Sequence, residues 1–235
     1  MLFFRSLIFN TFLYGFTALS SIVAAFLGVC NPRRLPGFVR WWSQTWLRVY
    51  KVVCGVSFEV NGEKNLPHGG CVIAMKHQST WDTFAMFAVF REPVFVFKGE
   101  LAMIPFFGLA LKRLGCIPVR RGSGKSALDV MTRGTAAACA LGKQVVIFPE
   151  GTRTDIGSDA LYKTGISHLY AALGKDCVPV ALDSGRLWPR HTFLRRSGTI
   201  HIEILPVIPA GLDRKVMQRK LVGEIEEASR RLSQR

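Results

Sequence analysis

The chain has 235 residues, enough for one sizeable core with an appendage, and 49% of them are hydrophobic. A mean hydropathy of +0.23 excludes a disordered chain and is high for an ordinary soluble domain, which points to contact with lipid. Thirty-one Lys and Arg against sixteen Asp and Glu leave a net charge of +15, a field that attracts polyanions or an anionic membrane surface.

With no zinc-finger spacing and no RNP-like segment, nucleic acid is set aside and the membrane is the expected partner. The six cysteines (Cys30, Cys54, Cys71, Cys116, Cys139, Cys177) form no C-x-x-C pair. They read as small buried hydrophobes of a reducing compartment, and no metal site is expected.

In chain order, the first element is uncharged from Leu7 to Val29, with Arg5 before it and Arg33 and Arg34 after it. About 20 apolar residues suffice to cross a bilayer. The exit from this run has no Ala-x-Ala pair, so it reads as a retained anchor rather than a cleaved signal. A second segment, PGFVRWWSQTWLRVYKVV, mixes Trp41, Trp42, Trp46 and Tyr50 with Arg40, Arg48 and Lys51, the composition of a helix lying between headgroups and acyl chains. Residues 1–53 are therefore expected to form a two-helix membrane anchor, with a buried helical pair of an oligomer as the alternative, and residues 54–235 an α/β domain.

After Cys54 short β-rich runs alternate with stretches of helix length. The predicted strands are VSFEV, CVIAM, VFVFK, CIPV, QVVIF, VPVAL and TIHIEIL; the predicted helices are STWDTFAMFAVF, AMIPFFGLALKRLG and SALDVMTRGTAAACAL. This alternation predicts a mixed α/β sheet flanked by helices. The terminal DRKVMQRKLVGEIEEASRRLSQR reads as an amphipathic helix. RRGSGKS around Lys125 imitates a phosphate-binding loop, but Val119 stands where its first glycine belongs, so a nucleotide site is rejected.

Two runs end abruptly in polar residues. CVIAM leads into Lys76 and His77, and Ser79-x-x-Asp82 before an apolar helix is a capping-box pattern, which puts His77 on a strand-to-helix turn at a strand's C-terminal edge. On one continuous helix His77 and Asp82 would lie about 140° apart. A loop followed by a first helical turn can fold the carboxylate back to the imidazole, where it would fix the tautomer and leave Nε2 as a general base. The alternative is a capping Asp beside a polar loop His. QVVIF likewise ends in Pro149, Glu150, Gly151, Thr152 and Arg153, with a glycine that permits close backbone approach and an arginine fork suited to phosphate. Two charged loops at matching strand ends suggest one cleft.

On these residues the sequence resembles the glycerolipid acyltransferases, and within them the bacterial 1-acyl-sn-glycerol-3-phosphate acyltransferases. The His-x4-Asp motif matches His77 to Asp82, and Phe-Pro-Glu-Gly-Thr-Arg matches Phe148 to Arg153 without a change. A second block resembles Lys98 to Gly122, and a fourth resembles Val178 to Leu182. The order and spacing of these motifs agree over residues 55–210, and the N-terminal anchor is also similar. Lys76 departs from the Asn that many members have before the motif His, and a Lys pointing inward would lower the pKa of His77.

The resemblance implies transfer of an acyl group from acyl-CoA or acyl-carrier protein to the 2-hydroxyl of lysophosphatidic acid. His77 would be the general base and Asp82 its orienter, without a covalent acyl-enzyme. In agreement, the sequence has no G-x-S-x-G elbow and no cysteine beside a histidine. Lys98, Arg120 and Arg153 would bind the acceptor phosphate, Arg121 reading as a surface charge. Glu150 would hold Arg153 or a glycerol hydroxyl, and Gly151 and Thr152 would shape the turn. No metal or other cofactor is implied. The expected location is the cytoplasmic face of the bacterial inner membrane. Two alternatives remain: another lysolipid acceptor, such as a lyso-ornithine lipid, and a non-catalytic basic membrane-binding protein.

Overall fold

The computed structural model describes residues 1–120, 124–158 and 161–235. All seven predicted strands form, as β1 (Val56–Asn61), β2 (Cys71–Met75), β3 (Pro93–Lys98), β4 (Ile117–Val119), β5 (Gln144–Ile147), β6 (Cys177–Leu182) and β7 (Gly198–Ile204). They make one mixed sheet of order β1-β7-β6-β2-β5-β3-β4. Neighbours from β6 to β4 run parallel, in registers such as Ala74 beside Ile147 and Met75 beside Val180, whereas β7 is antiparallel to β6 and parallel to β1. The C-terminal ends of β2, β5, β3 and β4 therefore open on one edge of the sheet. The central β2, β5 and β6 are buried at every residue, as their unbroken apolar runs require of parallel strands covered on both faces.

The covering helices are α3 (Thr80–Val89), α4 (Phe107–Leu114), α5 (Gly124–Ala140), α6 (Gly165–Leu173) and α7 (Arg214–Ser233). Helix α6 was not among the predicted elements. Helix α4 is shorter than predicted because the stretch before it is a 3₁₀ turn, Gly99–Met103, and Phe106 then adopts φ +59, which no helix continues through. Gly108 is forced by this packing, since a Cβ there would fall 2.3 Å from the Ala102 carbonyl oxygen.

At the N-terminus α1 (Leu2–Cys30) is followed by α2 (Leu35–Cys54). Pro near the start of α2 and Gly55 at φ +70 after its end bound it as helix chemistry dictates. Among the described residues only α1 is long and apolar enough to cross a membrane. Helix α2 corrects the interfacial reading of its aromatics. Trp42, Trp46 and Tyr50 are buried: Trp42 and Trp46 meet Phe84 of α3 edge-on, and Trp46 and Tyr50 pack against Trp188. Trp41 alone of the four stays exposed. The apolar stripe of α2 thus belongs to the protein core, because α3 and the segment around Trp188 offer it a closer-packed partner than lipid.

Candidate active site

The chain leaves β2 at Met75, turns through His77 and Gln78, and enters α3 with Ser79 as N-cap. The capping box is formed: Ser79 Oγ accepts from Trp81 N at 3.2 Å, and Asp82 Oδ2 accepts from Ser79 N at 2.8 Å. This first turn aims the Asp82 carboxylate back at the loop, where Oδ2 also accepts from Gln78 N at 2.8 Å and from His77 Nδ1 at 3.0 Å. Oδ1 accepts from Ser184 Oγ at 2.5 Å. Four donors thus converge on a carboxylate with no exposure to solvent. The Asp fixes the proton of His77 on Nδ1 and leaves Nε2 as the basic atom.

The second polar stretch wraps the same histidine. Phe148, just past β5, stacks on the imidazole with centroids 4.1 Å apart. Glu150 Oε1 accepts from His77 N at 3.1 Å, while Thr154 donates to the His77 carbonyl from its N at 2.8 Å and its Oγ1 at 3.1 Å. The two strand-end loops therefore build one site. Gly151 turns the chain between them at φ +68, a left-handed conformation that favours glycine, and Thr152 next to it is exposed.

The expected partner of Glu150 is corrected by the structure. Glu150 is buried and faces Lys76, whose Nζ lies 3.5 Å from Oε1, and Arg153 instead donates to Thr80 Oγ1 at 2.9 Å. Burial pushes the Glu150 carboxyl up, opposed chiefly by Lys76. Lys76 does point inward, but its charge is shared between Glu150 and Glu226 of α7 rather than directed at the imidazole.

The remaining cation candidates divide. Arg153 sits beside Thr80 on the first turn of α3, two residues from Asp82, and its carbonyl is held by Arg190 at 3.0 Å. Lys98 and Arg120 lie at the ends of adjacent β3 and β4, on the same sheet edge but exposed, Lys98 pairing with Glu100 at 3.4 Å. Neither makes a hydrogen bond or ion pair with His77 or Asp82 among the described residues. Arg121 and part of the basic segment around Lys125 lie outside the described residues.

Sequence reasoning missed Ser184, Tyr162 and Glu226. Ser184 is positioned by its neighbour Asp183, which accepts from His201 Nδ1 at 3.0 Å, His201 N at 2.7 Å and Arg186 Nη1 at 2.8 Å. The signal available was Asp-Ser directly after a buried strand, next to the other strand-end loops.

A histidine oriented by a buried aspartate, at the C-terminal edge of a helix-covered α/β sheet, has the geometry that general-base chemistry requires. Residues 57–183 match the family model described as Acyltransferase, and the chain belongs to that family. It is 37% identical over 171 residues to the 1-acyl-sn-glycerol-3-phosphate acyltransferase of Pseudomonas aeruginosa, a match covering 71% of this chain and 66% of that protein, just under two thirds of its length. It is 26% identical to the lyso-ornithine lipid O-acyltransferase of the same organism, over 92% of this chain and 90% of that one. The fold superimposes on the crystal structure of the 1-acyl-sn-glycerophosphate (LPA) acyltransferase PlsC from Thermotoga maritima with a TM-score of 0.83, at 16% identity, covering 100% of this chain and 99% of the other.

Proposed function

We propose that the protein transfers a fatty acyl group from acyl-CoA or acyl-carrier protein to the sn-2 hydroxyl of 1-acylglycerol-3-phosphate, forming phosphatidic acid for phospholipid synthesis. The observation that carries this reading is the His77–Asp82 pair clasped by the Phe148–Arg153 turn. His77 Nε2 takes the proton of the acceptor hydroxyl as its oxygen attacks the thioester carbonyl. The C–S bond then breaks, and the imidazolium returns the proton to the departing thiolate. Asp82 stabilises the imidazolium and holds its ring; such assistance is worth typically about 10² to 10⁴ in rate. Arg153, with Lys98 and Arg120 further along the same edge, supplies cations for the acceptor's phosphate, and no step calls on a metal or a bound cofactor.

A second reading, acylation of a lyso-ornithine lipid, is supported by the relative of that activity, which matches this chain over nearly its whole length. Parallel assays with both acceptors decide between them: faster turnover of 1-acylglycerol-3-phosphate supports the first reading, and activity confined to the ornithine lipid replaces it.

The site works at the membrane, on the cytoplasmic leaflet of the inner membrane where thioester donors are made, with α1 lying along the surface. A 29-residue helix is about 43 Å long, sufficient to span. Both its ends are nevertheless tied to the same domain. Ser6 Oγ accepts from Arg195 N at 2.9 Å and Asn10 donates to the Phe193 carbonyl at 3.0 Å, while Gly28 lies against the Arg113 side chain of α4. The outward face of α1, including Phe3, Phe4, Ile8, Leu19 and Phe26, stays exposed and apolar, a surface suited to acyl chains. Protease protection of tags at either end of α1 in sealed vesicles tests this: both tags accessible from one side supports an in-plane anchor, and opposite sides refutes it.

A further inference from the structure

Behind the imidazole lies a second layer of charge that the acyl-transfer chemistry does not use directly. Lys76 is the residue before the general base, and its ammonium is 2% exposed. It donates to Glu226 Oε1 on α7, which also accepts from the Tyr162 hydroxyl at 2.8 Å. The same ammonium lies 3.5 Å from Glu150 Oε1, the atom that accepts the His77 backbone N–H at 3.1 Å. A continuous series of polar contacts therefore runs from the C-terminal helix to the backbone of the base: Glu226, Lys76, Glu150, His77 N.

Helix α7 is fixed on the protein by buried Met217, Leu221, Ile225 and Leu232, and by Arg231 reaching Glu203 of β7 at 2.8 Å. A cavity of about 500 Å³ lies between this helix and the strand ends, bordered by Lys76, Gln78, Ile156, Glu226, Ser229 and Arg230. All of α7 lies beyond residues 57–183, the stretch that matches the family model.

We propose that Glu226 is a positioning residue for the general base, acting through Lys76 and Glu150 on the backbone of His77. The proposal rests on the acyltransferase reading of the site. One ammonium serves two carboxylates, so Glu226 sets how much of that positive charge remains for Glu150. Glu150 in turn holds the His77 N–H while Thr154 holds its carbonyl. Among the described residues the charged or titratable groups against Glu150 are Lys76 and His77 from the end of β2 and Tyr162 from the segment before α6, while Glu226 from α7 meets Lys76 and Tyr162. Burial and the two neighbouring carboxylates push the Tyr162 hydroxyl far up, so it stays a donor throughout the working range.

The sign of the effect follows. A Glu150 that takes up a proton holds the His77 N–H less firmly, so loss of Lys76 makes the site fail at higher pH than in the wild type. Loss of the charge on Glu226 leaves Lys76 wholly to Glu150, so the site survives to lower pH.

The test is the pH profile of kcat/KM of the detergent-purified full chain, with acyl-CoA and 1-acylglycerol-3-phosphate, for wild type, Lys76→Met and Glu226→Gln, each also in a Glu150→Gln background. A charge within about 4–6 Å moves a pKa by about 1–3. The acid limb is therefore expected to rise by about one pH unit in Lys76→Met and to fall by a smaller amount in Glu226→Gln, with both displacements abolished beside Glu150→Gln. Displacements in the same direction, none at all, or displacements that persist beside Glu150→Gln would overturn the proposal. If Lys76→Met does not fold, the Glu226→Gln pair decides alone. A wild type without turnover would be a failure of the functional reading instead. Amide exchange at His77 then tests the positioning directly, since Glu226→Gln should change its protection about threefold or more and an unchanged rate refutes the link.

Discussion

Asp82→Asn removes one charge while keeping the shape of the side chain, and the structure says how the amide will sit. In the wild type Oδ2 serves three donors, Gln78 N, Ser79 N and His77 Nδ1, and Oδ1 serves Ser184 Oγ. Two of the three donors on Oδ2 are backbone groups that cannot turn away, so the amide oxygen takes that place and the NH₂ faces Ser184, whose hydroxyl can accept instead. The histidine tautomer is thereby kept. What is lost is the negative charge beside a nascent imidazolium and the charge assistance of four buried hydrogen bonds. Charge-assisted bonds are worth roughly 1.5–3 kcal/mol each against about 1 for neutral ones, so at the low end of that difference, about 0.5 kcal/mol per bond, the fold should lose about 2 kcal/mol. For a chain of this size that lowers Tm by about 4–8 °C. Activity should fall about 10² to 10³-fold in kcat with KM nearly unchanged, because the interaction strengthens only as the proton moves. Steady-state kinetics and a thermal melt on the same preparation measure both. A folded Asp82→Asn enzyme within threefold of wild-type kcat would refute the general-base assignment of the pair.

Ser184→Ala leaves Asp82 Oδ1 without its side-chain donor and should reduce kcat about three- to tenfold with little change in KM, read from the same kinetics. Arg153→Gln should raise KM for 1-acylglycerol-3-phosphate by about ten- to a hundredfold while kcat changes less, and should matter far less for an ornithine lipid acceptor, which has no phosphate. Thiol labelling offers a test of the core: of six cysteines only Cys30 is exposed, and burial pushes Cys71, Cys116 and Cys177 up to about 12. Near neutral pH one thiol should react with maleimide in the folded protein and all six after denaturation, as counted by mass spectrometry.

The strands were legible because buried parallel strands are written as short unbroken apolar runs, and the capping box made the approach of Asp82 to His77 foreseeable from the six residues His77 to Asp82. Helix α6 went unread because GISHLYAAL is short, opens on glycine and follows a loop with no strong cap signal. The aromatics of α2 misled for a different reason. Trp and Tyr beside Arg and Lys are the composition of a membrane interface, yet the same residues pack equally well on a neighbouring helix, and only the position of Phe84 and Trp188 decides which. Of the two partners the sequence offers Glu150, Arg153 or a glycerol hydroxyl, the structure turns Arg153 to Thr80, and the carboxylate meets Lys76 just past the end of β2, a neighbour that spacing does not reveal. Ser184 and Glu226 reach the site from more than 100 residues away, where spacing carries no information.

The most direct test of the central claim is acyl transfer by the purified protein from acyl-CoA and from acyl-carrier protein to 1-acylglycerol-3-phosphate, with His77→Ala as the control and a melt to show that the variant is folded. The account predicts phosphatidic acid from wild type and a loss of about 10³-fold or more in the folded variant. Phosphatidic acid formed equally by both would contradict the role given to His77, and no transfer from either donor to any lysolipid would contradict the assignment as an acyltransferase.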